Sequence, residues 1–476
     1  MKIDLLKPEP RKRPALRNGL LAAWSALVVF PASMFALSAD AAPKRPNVLV
    51  ILADDLGYGE TGFQGYAKDI PTPNIDSLAA SGVRFTQGYV SGPYCSPTRA
   101  GLLTGRYQQR TGHEFNPNVN SVSLTGDAPG LALSEKTIGD RFRAAGYKTA
   151  FVGKSHQGYT ADQNPINRGF DEFYGFLSAG RPYSQFEAPN KNVGNVILRG
   201  LEPVKASDYA PGTFYTTDVF ANEASGFITR NKDKPWLLYL AFNAVHGPLD
   251  VSPKYEARFS HIKDEKRRKF AALLSALDDG VGTVLTTLRA AGLEEDTLIV
   301  FLSDNGGPTR QTTSANGPLR GYKSQTWEGG VRVPFVVQWK GHLPAGKTED
   351  KPIIQLDVLP TVLAAAGVAV KPEWQLAVRQ GDWKLVKAVD GGGVEGSNAQ
   401  TVDGKPVPAT LSGVQLYNLA KDAGEANNLA AQELQKVKEL SALWTNWNKA
   451  NQAPRWTAPG GNAQAAAKPK ASAEVD

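Results

Sequence analysis

The chain has 476 residues, 41% of them hydrophobic and 21% charged, with a formal net charge of +7. That length buries a sizeable core and exceeds one ordinary domain, and the composition excludes a fibrous or disordered protein. Residues 1–41 hold six Lys/Arg against three acids, so the surplus left on the rest is slight and dispersed, and no nucleic-acid partner is expected.

In chain order, a basic segment precedes the apolar run LLAAWSALVVFPASMFAL (20–37), and the small residues of ADAA follow. This pattern predicts a signal peptide over 1–41 and a periplasmic or secreted mature protein. Pro31 favours cleavage over retention, no later run reads as a bilayer span, and no stable membrane insertion is expected. NVLVILA (47–53) is the first buried-strand pattern, followed by the helical NIDSLAAS. PTRAGLLTG (97–105) reads as a helix opened by Pro97 and closed by Gly105. TIGDRFRAAG is helical, KTAFVG and WLLYLAF are strands, and RRKFAALLSALDDGVGTVLTTLRAAG is a long helix. TLIVFLS and PFVVQW are further strands, and QLDVLPTVLAAAG is a helix. Alternating strands and helices predict an α/β sheet covered on both faces. Past about Trp374, LAVRQGDWKLVKAV and VQLYNLAKD read as antiparallel strands, with a last helix at 431–447. The expected organisation is a catalytic domain over 44–370, a small C-terminal α+β subdomain over 371–455, and a polar, disordered tail over 456–476.

Ionisable residues gather just past the carboxyl ends of these strands, where open α/β sheets place their sites. NVLVILA runs into Asp54 and Asp55, AFVG into Lys154 and His156, LLYLAFNAV into His246, and LIVFLS into Asp304 and Asn305. Two adjacent acids at a buried strand end call for a cation, and an oxygen set suits Ca²⁺ or Mg²⁺ over zinc. Either pair alone would also serve as a turn or a helix cap.

Cys95 is the only cysteine in the chain, so in an oxidising compartment it has no disulfide partner. It sits at the mouth of the helix that Pro97 opens, where free N–H groups favour an anion, and Arg99 lies one turn along. On physical grounds alone this is either an activated thiolate or an inert buried thiol.

CSPTRAGLLTGR resembles the Cys-x-Pro-x-Arg…Thr-Gly-Arg signature of type I, formylglycine-dependent sulfatases, arylsulfatase-like members of the alkaline phosphatase superfamily. NVLVILADDLGYGETGFQG, PTPNIDSLAASGVRFTQGYV, GYKTAFVGKSH, FNAVHGP, LIVFLSDNGG and LRGYKSQTWEGGVRVPFVVQW continue the likeness in family order over about 47–367. The resemblance implies a large central mixed β-sheet sandwiched by helices and a sulfuric ester hydrolase acting on aryl sulfates or sulfated polysaccharide. It implies that a formylglycine-generating enzyme converts Cys95 to Cα-formylglycine, whose hydrate presents two geminal hydroxyls. One attacks sulfur and expels the alcohol. The second then loses its proton, and sulfate leaves with return of the aldehyde.

By the same resemblance Asp54, Asp55, Asp304 and Asn305 match the ligands of Ca²⁺ (or Mg²⁺), with residue 95 completing the shell. Arg99 matches the arginine that holds the diol. Lys154 steadies sulfate oxygens, and His156 takes the diol proton. His246 and Lys323 lie near the leaving oxygen, as general acid and charge stabiliser, and Ser178 matches a further polar contact to substrate. Glu328 and Arg332 are expected to brace the loop that presents Lys323. His113, His261 and His342 fall in no matched motif. Two departures stand out: KSHQG replaces the common Lys-Trp-His-Leu-Gly, placing Ser155 at a wall position, and only AVKPEWQL separates the helix at 355–367 from the next strand pattern.

Overall fold

The computed structural model describes residues 45–118, 120–187, 193–368, 381–386, 401–402, 405–406, 414–449, 451–452 and 455–456. The expected signal peptide, most of the short connecting segment and the tail beyond 456 lie outside the described residues.

The apolar runs fold as strands of one sheet. They are β1 (Asn47–Ala53), β2 (Val83–Phe85), β3 (Lys148–Lys154), β4 (Glu172–Phe176), β5 (Leu198–Arg199), β6 (Glu202–Pro203), β7 (Trp236–Ala241), β8 (Thr297–Ser303), β9 (Phe335–Gln338) and β10 (Lys347–Glu349). Their spatial order is β10-β2-β9-β8-β1-β7-β3-β4-β5-β6. The middle five, β8-β1-β7-β3-β4, are parallel, while β9 and β5 join antiparallel on either side. The sheet is therefore mixed, with a parallel centre whose carboxyl ends share one edge.

Helices cover both faces, which is why the central strands carry runs of consecutive apolar residues. The side chains of β1 divide by alternation. Leu49 and Ile51 face a core completed by α1 (Pro73–Ala80), α4 (Thr216–Arg230) and α5 (Glu265–Ala290). Val48, Val50 and Leu52 face a second core completed by α2 (Cys95–Thr104), α3 (Ile138–Ala144) and α6 (Val358–Ala365). By length and composition α5 could cross a bilayer, contrary to the expectation that no later run could; here Phe270, Leu274, Leu277, Val281 and Leu285 are at most 1% exposed in the core. The sequence reading also passed over β4 and α4, although Val219, Phe220, Ala224, Phe227 and Ile228 recur at helical spacing and are buried.

Close packing demands glycine at Gly153 in β3. There φ is 111°, and a Cβ would stand 1.8 Å from the carbonyl oxygen of Ala241 on the neighbouring strand. At the end of α2, Gly105 takes the left-handed conformation (φ 67°) and its N–H reaches Gly101 O at 2.7 Å.

The C-terminal part contains an antiparallel pair, β11 (Trp383–Val386) and β12 (Gln415–Asn418), followed by α7 (Leu434–Asn448). One face of the pair puts Val386 and Tyr417 against Trp327; the other puts Leu416 against Val437 and Leu440 of α7. Trp456, which composition placed at the start of the tail, is 1% exposed. It bridges to Ser123, so ordered packing extends to that residue.

Candidate active site

The site forms where β1, β3, β7 and β8 end. Asp54 and Asp55 follow β1, Lys154 closes β3, His246 follows β7, and Asp304 and Asn305 follow β8. The backbone leaves the sheet sharply: Asp55 and His156 have φ of 61° and 54°, a left-handed conformation that costs non-glycine residues about 1–2 kcal/mol each. The turn after β1 is held by hydroxyls the sequence reading did not single out. Ser303 Oγ accepts Leu56 N–H at 2.9 Å, and Ser314 Oγ accepts Gly57 N–H at 2.9 Å while donating to Asp55 O at 2.9 Å. Ser303 ends its strand, a position that strand-end reasoning reaches; Ser314 lies 259 residues from its partner and carries no local signal.

Three acids and three cations meet there, all buried. Arg99 Nε donates to Asp304 Oδ2 at 2.9 Å, its Nη2 lies 2.8 Å from the same oxygen, and its Nη1 donates to Lys154 O at 3.0 Å. Lys154 Nζ lies 2.5 Å from Asp54 Oδ2, and Lys323 Nζ lies 3.1 Å from Asp55 Oδ2. Burial lifts the Asp304 carboxyl, but Arg99 and then Lys154 more than offset it, leaving it at about 2. Burial pushes Asp54 up, against the pull of Lys154. Lys154 is lowered by burial but raised further by Asp54. The Lys154 ammonium favours the charged form of Asp54, while burial first and the Asp304 charge second oppose it.

Cys95 opens α2, with Tyr94 as its N-cap, and is 0% exposed. Its Sγ lies 3.5 Å from Asp54 Oδ1 and 3.9 Å from Asp55 Oδ1. Burial, then Asp304, push the thiol well above its ordinary range. The thiolate that the helix mouth invited does not form on the encoded side chain, because dipole stabilisation is outweighed by desolvation and neighbouring acids.

His246 Nε2 stands 3.6 Å from Asp55 Oδ2 and 3.3 Å from Lys323 Nζ, while Nδ1 lies 2.5 Å from Gly247 O. Burial and Lys323 lower its pKa, but Asp55 and Asp54 raise it by more. His156 is 0% exposed, and its carbonyl accepts Ser96 Oγ at 2.5 Å and Gln157 Nε2 at 2.8 Å. Ser178 is one step removed: its hydroxyl meets Asn195 Oδ1 and Gly180 O, and Gly180 in turn packs against His246. Ser155, 2% exposed, lines a small internal cavity with Leu103, Phe151, Gln157 and Phe170. Glu328 braces its loop as expected, accepting from Tyr89 OH and Lys384 Nζ at 2.6 Å each and pairing with Arg332 at 3.4 Å.

Four side chains here could hold a metal ion: one oxygen each of Asp54 and Asp55, Cys95 Sγ and a His246 nitrogen lie within 4.8 Å of one another. Asn305 donates through Nδ2 to Asp55 Oδ1 at 2.7 Å, while its buried Oδ1 receives no hydrogen bond among the described residues. A buried amide oxygen left without a donor, beside clustered carboxylates, is what a cation satisfies.

The family model described as Sulfatase matches residues 46–368. Human arylsulfatase A is 36% identical over 357 residues, covering 70% of this chain and 67% of that protein. Mouse arylsulfatase J is 34% identical over 345 residues, covering 71% of this chain but 55% of that protein. The chain thus spans between about half and two thirds of these relatives' length. The crystal structure of Ps i-CgsB in complex with k-i-k-neocarrahexaose superposes with a TM-score of 0.74 at 32% identity, covering 87% of this chain and 95% of that one. The PsFucS1 sulfatase from Pseudoalteromonas sp. superposes with a TM-score of 0.68 at 27% identity, covering 85% and 90%.

Proposed function

The chain belongs to the sulfatase family, and from that membership we propose that it hydrolyses sulfate monoesters at the carboxyl edge of its sheet, with residue 95 as nucleophile after conversion to formylglycine. The observation that carries this reading is the arrangement around Cys95: a motif cysteine at a helix mouth, ringed at once by acids that suit a cation and by Arg99, Lys154, His246 and Lys323, which suit an anion.

Asp54, Asp55, Asp304 and Asn305 would hold the cation, Ca²⁺ by preference, whose chemistry is to acidify a bound hydroxyl and to draw charge off the sulfate oxygens. Lys154 from the end of β3 and Lys323 from the loop at 320–332 would bind the sulfate group between them. Arg99 fixes Asp304 and caps the Lys154 carbonyl, holding the nucleophile's helix to β3 and β8. His246, against Lys323, would give a proton to the leaving oxygen, and His156 would take one from residue 95.

A sulfated saccharide is the proposed substrate. The likeness to Ps i-CgsB, described in complex with k-i-k-neocarrahexaose, supports this, as does the segment at 1–41, read as an export signal. The test is a side-by-side assay of matured protein on aryl sulfate, aryl phosphate and sulfated oligosaccharides, with desulfation followed by mass. We expect sulfate ester turnover that a chelator abolishes and added Ca²⁺ restores. Faster phosphate turnover, or activity untouched by chelation, sinks the proposal. Mass spectrometry of the peptide over 94–99 tests conversion of Cys95 separately.

A further inference from the structure

Ser96, the residue after the nucleophile, is fixed at every polar atom. Its N–H donates to Asn116 Oδ1 at 3.0 Å, and its carbonyl accepts Gln157 Nε2 at 3.0 Å. Its hydroxyl lies 2.5 Å from His156 O and 2.7 Å from His113 Nε2. A hydroxyl has one hydrogen and a carbonyl can only accept, so Ser96 donates to His156 O and His113 donates to Ser96. The imidazole must therefore carry its proton on Nε2. Burial, then the charge of Arg455, hold the His113 pKa down to about 3, so the ring stays neutral.

The cover over His113 comes from the far end of the chain. Trp456 packs its ring edge-on at 4.8 Å and 86°. Its segment is strapped to residues 109–127: Arg455 N–H reaches Gly112 O at 3.0 Å, Leu124 N–H reaches Arg455 O at 2.8 Å, and Gln452 N–H reaches Gln109 O at 2.9 Å. The Arg455 guanidinium also pairs with Asp127.

We propose that His113 is a positioning residue for the nucleophile, acting through Ser96, and that Arg455–Trp456 is the clamp that holds it there. The imidazole N–H orients the Ser96 hydroxyl, that hydroxyl pins the carbonyl of His156, and the first turn of α2, which carries residue 95, is thereby fastened to the turn after β3. The clamp keeps water from competing for the imidazole. This inference rests on residue 95 being the reacting group.

The test compares full-length matured parent, His113→Leu, His113→Gln and Trp456→Ala. Formylglycine content at position 95 is measured in each, so that rates refer to converted protein. We expect His113→Leu to lower kcat on aryl sulfate by about 10–100-fold, with KM within about threefold of the parent. His113→Gln, whose amide N–H can still reach Ser96, should recover about tenfold of that loss, and Trp456→Ala should lose about fivefold. Equal losses in His113→Leu and His113→Gln, or kcat within about twofold of the parent in both His113→Leu and Trp456→Ala, overturn the proposal. If His113→Leu does not fold, Trp456→Ala and His113→Gln decide it alone. Hydrogen exchange supplies a readout that does not pass through catalysis: amides of 95–104 should exchange about tenfold faster in Trp456→Ala, with α5 unchanged. Unaltered exchange there refutes the clamp even in protein without sulfatase activity. Faster exchange in a parent that cleaves no sulfate ester would instead sink only the sulfatase reading.

Discussion

The carboxyl edge of the parallel strands and the C-terminal hairpin with its helix both serve the site, but they are held by different forces. Every residue of β1 and β8 is buried between two continuous apolar cores, so the positions of Asp54 and Asp304 follow from strand register, Ala53 pairing with Ser303. The C-terminal part has only small clusters around Trp327 and Leu416, and it grips the rest through polar anchors. Lys384 bridges Glu328 and Glu425 at 2.6 and 3.0 Å, Glu425 Oε2 accepts Glu328 N–H at 2.7 Å, and Arg320 reaches Glu425 O at 3.0 Å. These contacts stiffen the loop at 320–332, which carries Lys323. A broad core thus positions the acids, while discrete anchors position a cation.

The sharpest way to break that contrast is at the strand edge. Asp304→Ala takes the nearest carboxylate from the buried Arg99 guanidinium, leaving Asp54 at 3.6 Å, so kcat/KM should fall by about 10³-fold and stability by about 3–5 kcal/mol. Steady-state kinetics and denaturant midpoints check both; a variant that keeps parental stability would mean Arg99 finds another partner. Glu425→Ala attacks the anchor instead. Lys384 keeps Glu328 and some solvent, so a stability loss of about 1–3 kcal/mol is expected, with kcat lowered about tenfold as the Lys323 loop loosens. Lost stability with unchanged kcat would show the C-terminal part to be a passenger.

The smallest effect on turnover comes from the helical layer beneath the sheet. Asp278 on α5 accepts Ile75 N–H at 2.8 Å and Asn74 Nδ2 at 2.8 Å, tying down the start of α1. Burial raises its carboxyl from 3.8 to about 6 despite these donors. The folded state then binds this proton more tightly than the unfolded chain, so the contribution to stability is present below about pH 4 and lost as pH rises through about 6. Asp278→Asn, which cannot ionise, should gain on the parent by about 2–3 kcal/mol between pH 4 and pH 7. A gap that does not change with pH in matched denaturation curves would refute this, and kcat should be indifferent throughout.

Much of the site was legible because its residues directly follow apolar runs. TLIVFLS ends at Asp304 and NVLVILA at Asp54, and a buried strand leaves little freedom in where its next residue emerges. The Cys-x-Pro-x-Arg spacing likewise sets Arg99 one turn from Cys95. What was not legible lacked any local pattern. His113 fell in no matched motif, Ser96 looked like filler inside one, and Trp456 sat at the head of a polar tail. Their roles arise from contacts between segments far apart in the chain.

The amino-acid order alone determined the alternation of strands and helices, the edge where chemistry gathers and the residue types available there, because periodicity and spacing act over a few residues. Only the tertiary structure decided that burial raises the pKa of the Cys95 thiol, that Asn305 Oδ1 receives no hydrogen bond among the described residues, and that Trp456 packs on His113. Desolvation and long-range hydrogen bonding depend on which distant atoms share a volume, and that is settled only when the chain has folded.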